Sequence, residues 1–206
     1  MLFSSPYQQV GIMAKGIFCL EGLWNNNLKH KSTVQPILDM LELNGGMKYI
    51  HHDVATISEF EFYLRCWKQP RYRNFPILYL AFHGENEAIL IGKKCYTLNQ
   101  LSTILVDSCN NSILFLASCS TLNANTQSVQ NFLKRTGALA LCGYKKRVNW
   151  MLAAAFELLL LSSFQEIEFS CRAIGKIKKK AISLEKLFKE LDFTIITKKD
   201  VKTGNK

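Results

Sequence analysis

Runs of consecutive apolar residues recur along the chain and alternate with segments in which apolar residues are spaced three or four apart. The runs are typical of strands that are buried on both faces, whereas the wider spacing is typical of helices with one buried face. The predicted strands are 16–20, 48–52, 77–82, 112–117 and 138–142. Segment 88–98 is predicted to form a hairpin that turns near Gly92 and Lys93.

The segments between these strands carry helix-start signals. Three residue pairs have the spacing of a capping box, in which two side chains bond the free N–H groups at the start of a helix. The pairs are Ser32 with Gln35, Thr56 with Glu59, and Thr97 with Gln100. Further helices are predicted at 126–135, at 150–164 and within 172–191.

Strands that alternate with amphipathic helices predict an α/β fold, and doubly buried strands predict a parallel sheet. We therefore expect a three-layer sandwich with a mostly parallel sheet and helices on both faces. A chain of 206 residues suits a single core. The predicted division is an N-terminal extension over 1–15, one domain over 16–192 and a basic C-terminal tail over 193–206.

Positive charge is concentrated near the C-terminus. Residues 172–206 carry 11 Lys and Arg against 4 Asp and Glu, which is +7 of the formal net charge of +10. A basic segment of this kind can contact nucleic acid or an acidic partner. No aromatic residue interleaves with the lysines of 176–180, so a solvated basic helix is the favoured interpretation. Contact of 172–206 with nucleic acid is left open.

The seven cysteines are scattered and include no C-x-x-C pair. This pattern argues against a disulfide framework or a zinc knuckle, and favours a reducing compartment. The longest apolar run, 151–164, is too short to cross a bilayer and contains Glu157. We therefore expect a cytoplasmic protein without a membrane partner.

Two predicted strands are followed closely by residues with reactive side chains. His83 follows the strand 77–82, and Cys119 follows the strand 112–117. Because parallel strands end at one edge of a sheet and neighbours lie about 4.8 Å apart, the two side chains are expected to meet. An imidazole that activates a thiol is the arrangement of nucleophilic catalysis, and the N–H groups of Gly84 and Cys119 are expected to form an oxyanion hole.

The order strand–His-Gly, hairpin, helix, strand–Ser-Cys resembles the caspase-like (clan CD) cysteine peptidases, and the bacterial CHAT-type domains are nearest among them. The segments "AKGIFCLEGLW", "YLAFHG", "SCSTLN", "TGALALCGY" and "ELLLLSSFQ" resemble an uncharacterised family of small bacterial proteins of that type. The resemblance covers Gly16 to about Gln165. It implies that His83 is the general base and acid, Cys119 the nucleophile and Gly84 an oxyanion donor.

The resemblance also implies a peptidase that cleaves after a charged residue and acts as an effector in a bacterial stress, death or antiphage pathway. Its partner would be a protein or peptide substrate, and an activator protein is left open. The caspase signature Q-A-C-[RQG]-G is replaced by Leu116-Ala117-Ser118-Cys119-Ser120. A catalytically inactive caspase-like interaction module therefore stays as an alternative, as does a basic module that contacts nucleic acid.

Two groups of charged residues near the same sheet edge point to opposite residue preferences. Glu21 follows the first strand and would select Lys or Arg by charge pairing. Lys145–Arg147 follow the strand that ends at Cys142 and would suit an acidic residue. We favour the basic preference, with Gly143 and Tyr144 as part of the pocket wall.

Other chemistries have weaker support in the sequence. His51, His52 and Asp53 could ligate a metal, but adjacent residues of a strand point to opposite faces. The chain has neither G-x-S-x-G nor a phosphate-binding glycine motif, which disfavours a serine hydrolase and a nucleotide-binding protein. No cofactor and no metal are expected.

Overall fold

The apolar runs form the centre of the protein. A computed structural model describes residues 15–27 and 29–201. The strands of this part are β1 (Ile17–Gly22), β2 (Tyr49–Val54), β3 (Ile77–Ala81), β4 (His83–Glu85), β5 (Ala88–Ile91), β6 (Lys94–Thr97), β7 (Ile113–Ala117), β8 (Ala140–Tyr144) and β9 (Phe193–Thr197). Its α-helices are α1 (Gln35–Gly45), α2 (Ile57–Trp67), α3 (Leu98–Ile104), α4 (Thr126–Thr136), α5 (Trp150–Phe164) and α6 (Ile174–Glu185).

Six strands form one mostly parallel sheet in the order β2-β1-β3-β7-β8-β9. Neighbouring strands in this order are parallel, except for the last pair, β8 and β9, which is antiparallel. One face of the sheet packs on α1, α5 and α6, and the other packs on α2, α3 and α4. The predicted three-layer α/β sandwich is confirmed.

The helix boundaries follow from local capping. The capping boxes at Thr56 and Thr97 are both present, as predicted. The predicted box at Ser32 is wrong, because α1 has Val34 at its N-cap and no side chain bonds from that position. Thr33 instead accepts a hydrogen bond from the Gln35 N–H, so the helix starts two residues later than the box would place it.

A small antiparallel sheet, β4-β5-β6, branches from the end of β3. Its β5–β6 hairpin turns at Gly92, whose φ of +60° is readily adopted only by glycine, and this confirms the predicted turn. Strand β4 was not predicted, because its three residues, His83 to Glu85, are polar or glycine. Their pairing with β5 fixes the backbone of His83 and Gly84.

The predicted boundary at residue 193 needs correction. β9 pairs with β8 along five residues, and its Phe193, Ile195 and Thr197 are buried. The domain therefore extends at least to Thr197, and the tail was placed too early because the lysines on both sides of β9 masked its alternating pattern. The predicted extension 1–15 and the last residues, 202–206, lie outside the described residues except for Lys15.

α6 docks on the body of the protein through the fully buried Ile174, Ile177 and Ala181. Within 15–27 and 29–201, none of the helices has the length and apolar character needed to cross a membrane.

Candidate active site

The register of two central strands brings His83 and Cys119 together. Ala81 of β3 pairs with Ala117 of β7, and each reactive residue lies two positions beyond its alanine. His83 is exposed and Cys119 is half-buried. Both residues line the same two cavities. The two residues therefore share a site at the carboxyl edge of the sheet.

The orientation of the His83 ring is set by a backbone carbonyl. His83 Nε2 lies 2.9 Å from the carbonyl oxygen of Trp24, which can only accept a hydrogen bond. Nε2 therefore carries a proton, and in the neutral ring Nδ1 keeps the lone pair of a base. The indole of Trp24 also packs edge-to-face on the imidazole, with 5.2 Å between ring centroids.

Glu21 holds the segment that supplies this carbonyl. One carboxylate oxygen accepts from the Trp24 indole N–H and the Val34 N–H, and the other accepts from Thr33 Oγ1 and pairs with His51 Nε2 at 2.7 Å. Burial alone would raise the pKa of Glu21, but the bonds from His51, Trp24, Thr33 and Val34 lower it below its ordinary value. The hydrogen bond to Glu21 in turn raises the pKa of His51.

The predicted role of Glu21 in the substrate pocket is therefore wrong. Only 1% of the residue is exposed, and its hydrogen bonds occupy the lone-pair sites that a ligand would need. It also lies outside the lining of both cavities at the His/Cys pair. Glu21 instead holds Trp24, whose carbonyl lies 2.9 Å from His83 Nε2.

The turn that carries Cys119 is fixed on both sides. The buried hydroxyl of Ser118 hydrogen-bonds Thr121 Oγ1 at 2.8 Å, and Thr121 Oγ1 donates to the carbonyl of Ala88. Ser120 has a φ of +58°, which strains a residue other than glycine, and its N–H donates to the carbonyl of Lys146. Strain held in place next to a nucleophile is a common feature of active sites.

Gly84 allows β4 to lie directly against this turn. A Cβ at position 84 would be 2.4 Å from the carbonyl oxygen of Cys119 and 2.2 Å from Thr121 Oγ1, so no other residue fits. The backbone of Gly84 is thus adjacent to that of Cys119. The role of the Gly84 and Cys119 N–H groups as an oxyanion hole stays a prediction.

The first cavity beside the pair is mainly apolar and has about 480 Å³ of empty space, its open mouth included. Its walls come from the loop after β1, the end of β7, and α5. Apart from His83 and Cys119, the lining includes Trp24, Val34, Ile37, Ala117, Tyr144, Trp150 and Glu157. The indoles of Trp24 and Trp150 pack edge-to-face at 4.7 Å on one side of it.

Glu157 is the acidic residue of this lining, and no pocket role was predicted for it. Tyr79 OH donates to Glu157 Oε2 at 2.5 Å, and Tyr144 OH donates to Oε1 at 2.7 Å. Burial raises the pKa of Glu157 to about 7, because it outweighs the two phenol hydrogen bonds that lower the pKa. The available signal was a single charged residue inside the otherwise apolar helix α5.

Of the two other predicted pocket residues, one lines the apolar cavity and one does not. Tyr144 lines the apolar cavity, as predicted. Gly143 does not, because it faces the opposite side of the sheet, where a Cβ would be 2.6 Å from the carbonyl oxygen of Leu116. Of the basic residues 145–147, Arg147 lines the second, more polar cavity, and Lys145 and Lys146 line neither.

One group of side chains in the described ranges has the spacing of a metal site. Glu21, His51 and Asp53 offer ligand atoms within 4.8 Å of one another. The carboxylate of Glu21 is already used by His51 and by the loop after β1. His52 lies apart from this group and stacks on Tyr63 at 4.2 Å. We therefore assign Glu21 and His51 to the support of the loop.

The other thiols differ from Cys119 in their surroundings. Burial raises the pKa of Cys109 to about 12 and raises the pKa of Cys19 and Cys142 well above its ordinary value. Cys95 and Cys171 are exposed, and Cys66 is partly exposed. Neither Cys66, Cys95 nor Cys171 lines a cavity that contains His83.

The fold and the site define an α/β protein with a His/Cys pair at the carboxyl edge of a mostly parallel sheet. The chain belongs to the DUF6642 family, a family of unknown function, and the match spans residues 14–197. The match therefore includes β9. No curated protein matches the chain. The function has to follow from the site itself.

The raised pKa of Glu157 predicts how stability depends on pH. Because the pKa lies near 7 in the folded protein against an ordinary 4.5, the stabilising contribution is full below pH 4.5 and is lost as the pH rises through 7. Glutamine resembles the protonated acid, so Glu157→Gln is expected to raise the unfolding free energy by up to about 3 kcal/mol at pH 8, with little change at pH 4.5.

Urea unfolding of both proteins at the two pH values measures this difference. Glu42→Gln, at an exposed position of α1, is the matched control and should show the same stability change at both pH values. A Glu157→Gln effect that does not depend on pH would show that Glu157 has no raised pKa.

Proposed function

We propose that this protein is a cysteine endopeptidase that uses His83 and Cys119 as its catalytic pair. One observation carries the proposal: the paired ends of β3 and β7 place an oriented imidazole and a half-buried thiol on the lining of the same cavities. The bond from His83 Nε2 to the Trp24 carbonyl supports the role of base for Nδ1.

The proposed reaction proceeds through an acyl-enzyme. His83 Nδ1 takes the thiol proton of Cys119, and the sulfur attacks the carbonyl carbon of the substrate peptide bond. The N–H groups of Gly84 and Cys119 hold the negative oxygen of the tetrahedral intermediate. His83 then returns the proton to the leaving amine, and a water molecule activated by His83 hydrolyses the thioester.

The class and setting of the peptidase are part of the same proposal. The order of the elements around His83 and Cys119 supports a caspase-like peptidase of the CHAT type. A free-thiol nucleophile suits a reducing compartment, which supports a cytoplasmic location. Within that class, the protein would act on a protein or peptide substrate as an effector in a bacterial stress or antiphage pathway.

Glu21→Gln is expected to slow turnover through His83. The glutamine keeps one acceptor oxygen but loses the other, so the loop that holds the Trp24 carbonyl loosens and His83 is oriented less well. We expect kcat to fall by about 10- to 100-fold with little change in KM, since lost hydrogen bonds to a charged group correspond to about 1.5–3 kcal/mol.

Nitrogen-15 NMR of the histidine rings separates positioning from general loss of stability. In the wild type, His83 should be protonated at Nε2, and in Glu21→Gln the two tautomers should mix. Thr33→Val removes one bond to Glu21 and leaves the Trp24 bond in place, so it is the matched control. An unchanged tautomer together with an unchanged kcat would contradict the positioning role.

The proposed function is tested by incubation of the purified protein with a peptide library whose cleavage sites are read by mass spectrometry. Cleavage at defined sites by the wild type, and none by Cys119→Ser, is the expected result. A library left intact by the wild type at concentrations that saturate typical peptidases, in reducing buffer, would contradict the proposal.

A further inference from the structure

Glu157 carries a buried carboxyl group on the face of α5 that packs against the sheet. Its side chain is buried with only 4% of the residue exposed, and its hydrogen bonds come from the phenols of Tyr79 and Tyr144. Across residues 15–27 and 29–201, no lysine, arginine or histidine forms an ion pair with it. A buried carboxylate without a counter-charge is destabilising, and its raised pKa reflects that.

The same carboxyl group borders the cavity that contains the His/Cys pair. The rest of the lining is mainly apolar and includes Trp24, Val34, Ile37 and Trp150, with alanines of α5. Apolar walls of this kind bind the methylene stem of a long side chain, while a polar group at the far end binds the tip. The cavity therefore combines mainly apolar walls with one acidic group.

We propose that Glu157 is the specificity-determining residue of this cavity and selects a lysine or arginine side chain at the position before the scissile bond. This inference rests on the proposed function. The stem of the basic side chain lies along the tryptophans, and its cationic end meets the Glu157 carboxylate. The two phenols occupy one site on each carboxylate oxygen and leave further lone-pair sites for the ligand.

The alternatives in the same region fit less well. Glu21 has its lone-pair sites occupied and lies outside the cavity. Among the basic residues that would select an acidic side chain, Arg147 lines the other cavity and Lys145 and Lys146 line neither. Charge complementarity at the apolar cavity therefore favours a cation.

Peptidyl acyloxymethyl ketones that differ only in their last residue test the inference. Norleucine is the matched comparison, because it has the lysine stem without the ammonium group. In the wild type, the lysine or the arginine probe should label Cys119 at least about 10-fold faster than the norleucine and aspartate probes, given about 1.5–3 kcal/mol for a charged hydrogen bond. In Glu157→Gln, this ratio should fall to about 1.

Two further variants make the result specific. Glu157→Asp keeps the charge and should keep a preference for the basic probes, whereas Glu21→Gln should slow all probes and leave their ratio unchanged. The rate of Cys119 alkylation by iodoacetamide, and the melting temperature, report whether Glu157→Gln is folded. A basic preference that persists in folded Glu157→Gln would overturn the inference, as would a wild type that prefers the norleucine or the aspartate probe.

Failure of the proposed function would give a different result, in which no peptide ketone labels Cys119. The cavity is then tested by binding alone, with the fluorescence of Trp24 and Trp150 as the signal. Tighter binding of N-acetyl-lysine amide than of N-acetyl-norleucine amide, lost in Glu157→Gln, supports the assignment of Glu157. Equal binding of the two amides overturns it.

Discussion

Replacement of Cys119 or His83 by alanine is expected to lower peptide turnover by about 10³-fold or more, with a melting temperature close to that of the wild type. Neither side chain forms part of the apolar core, so the fold should tolerate both changes. Because the two residues act as one unit, the double variant should be little slower than either single variant. Steady-state kinetics on one cleaved peptide measure all three.

Two control variants test whether the replacement of any cysteine or histidine by alanine lowers turnover. Cys171→Ala and His30→Ala remove exposed residues that do not line either cavity beside the His/Cys pair, and their turnover should equal that of the wild type. Full activity of Cys119→Ala would show that the nucleophile lies elsewhere. Losses that multiply in the double variant would show that the two residues act independently.

Truncation after Asp192 is expected to unfold the protein. It removes β9, exposes the edge of β8 and takes Phe193 and Ile195 out of the core. Full burial of each of these side chains corresponds to about 1.5–3 kcal/mol, and the backbone pairing adds to that, against a total stability of about 5–15 kcal/mol for a typical domain. Circular dichroism and thermal melting of the truncated chain measure the effect.

Truncation after Val201 is the matched control, because it removes only residues 202–206 and leaves β9 complete. This chain should melt like the full-length protein. If the chain that ends at Asp192 melted at the same temperature, β9 would not be part of the folding unit, and the boundary predicted from the charge pattern would stand.

The sheet could be predicted because its central strands are apolar on both faces. β3 and β7 consist of five buried residues each, a pattern that few other structures explain. β9 escaped prediction because an edge strand is buried on one face, so that Thr194 and Ile196 stay partly exposed between buried neighbours. β4 escaped for a different reason, since its strand conformation comes from pairing with β5 and has no signal in its own residues.

The site was predictable to the extent that topology determines it. His83 and Cys119 line the same cavities because β3 and β7 are parallel neighbours that end at one edge, and the alternation of strands and helices predicts that edge. The acidic residue of the pocket depended on packing that the sequence does not show. The carboxylate of Glu21 is occupied by hydrogen bonds from the loop after β1. The carboxylate of Glu157 lines the cavity because α5 packs against Tyr79 and Tyr144.

The most direct test of the central claim is the site of covalent attachment of a peptidyl acyloxymethyl ketone, mapped by mass spectrometry after brief labelling in reducing buffer. We expect attachment to Cys119, at a rate that falls sharply in His83→Ala. Attachment to Cys66, Cys95 or Cys171 instead, or a Cys119 rate that is the same with and without His83, would contradict this expectation.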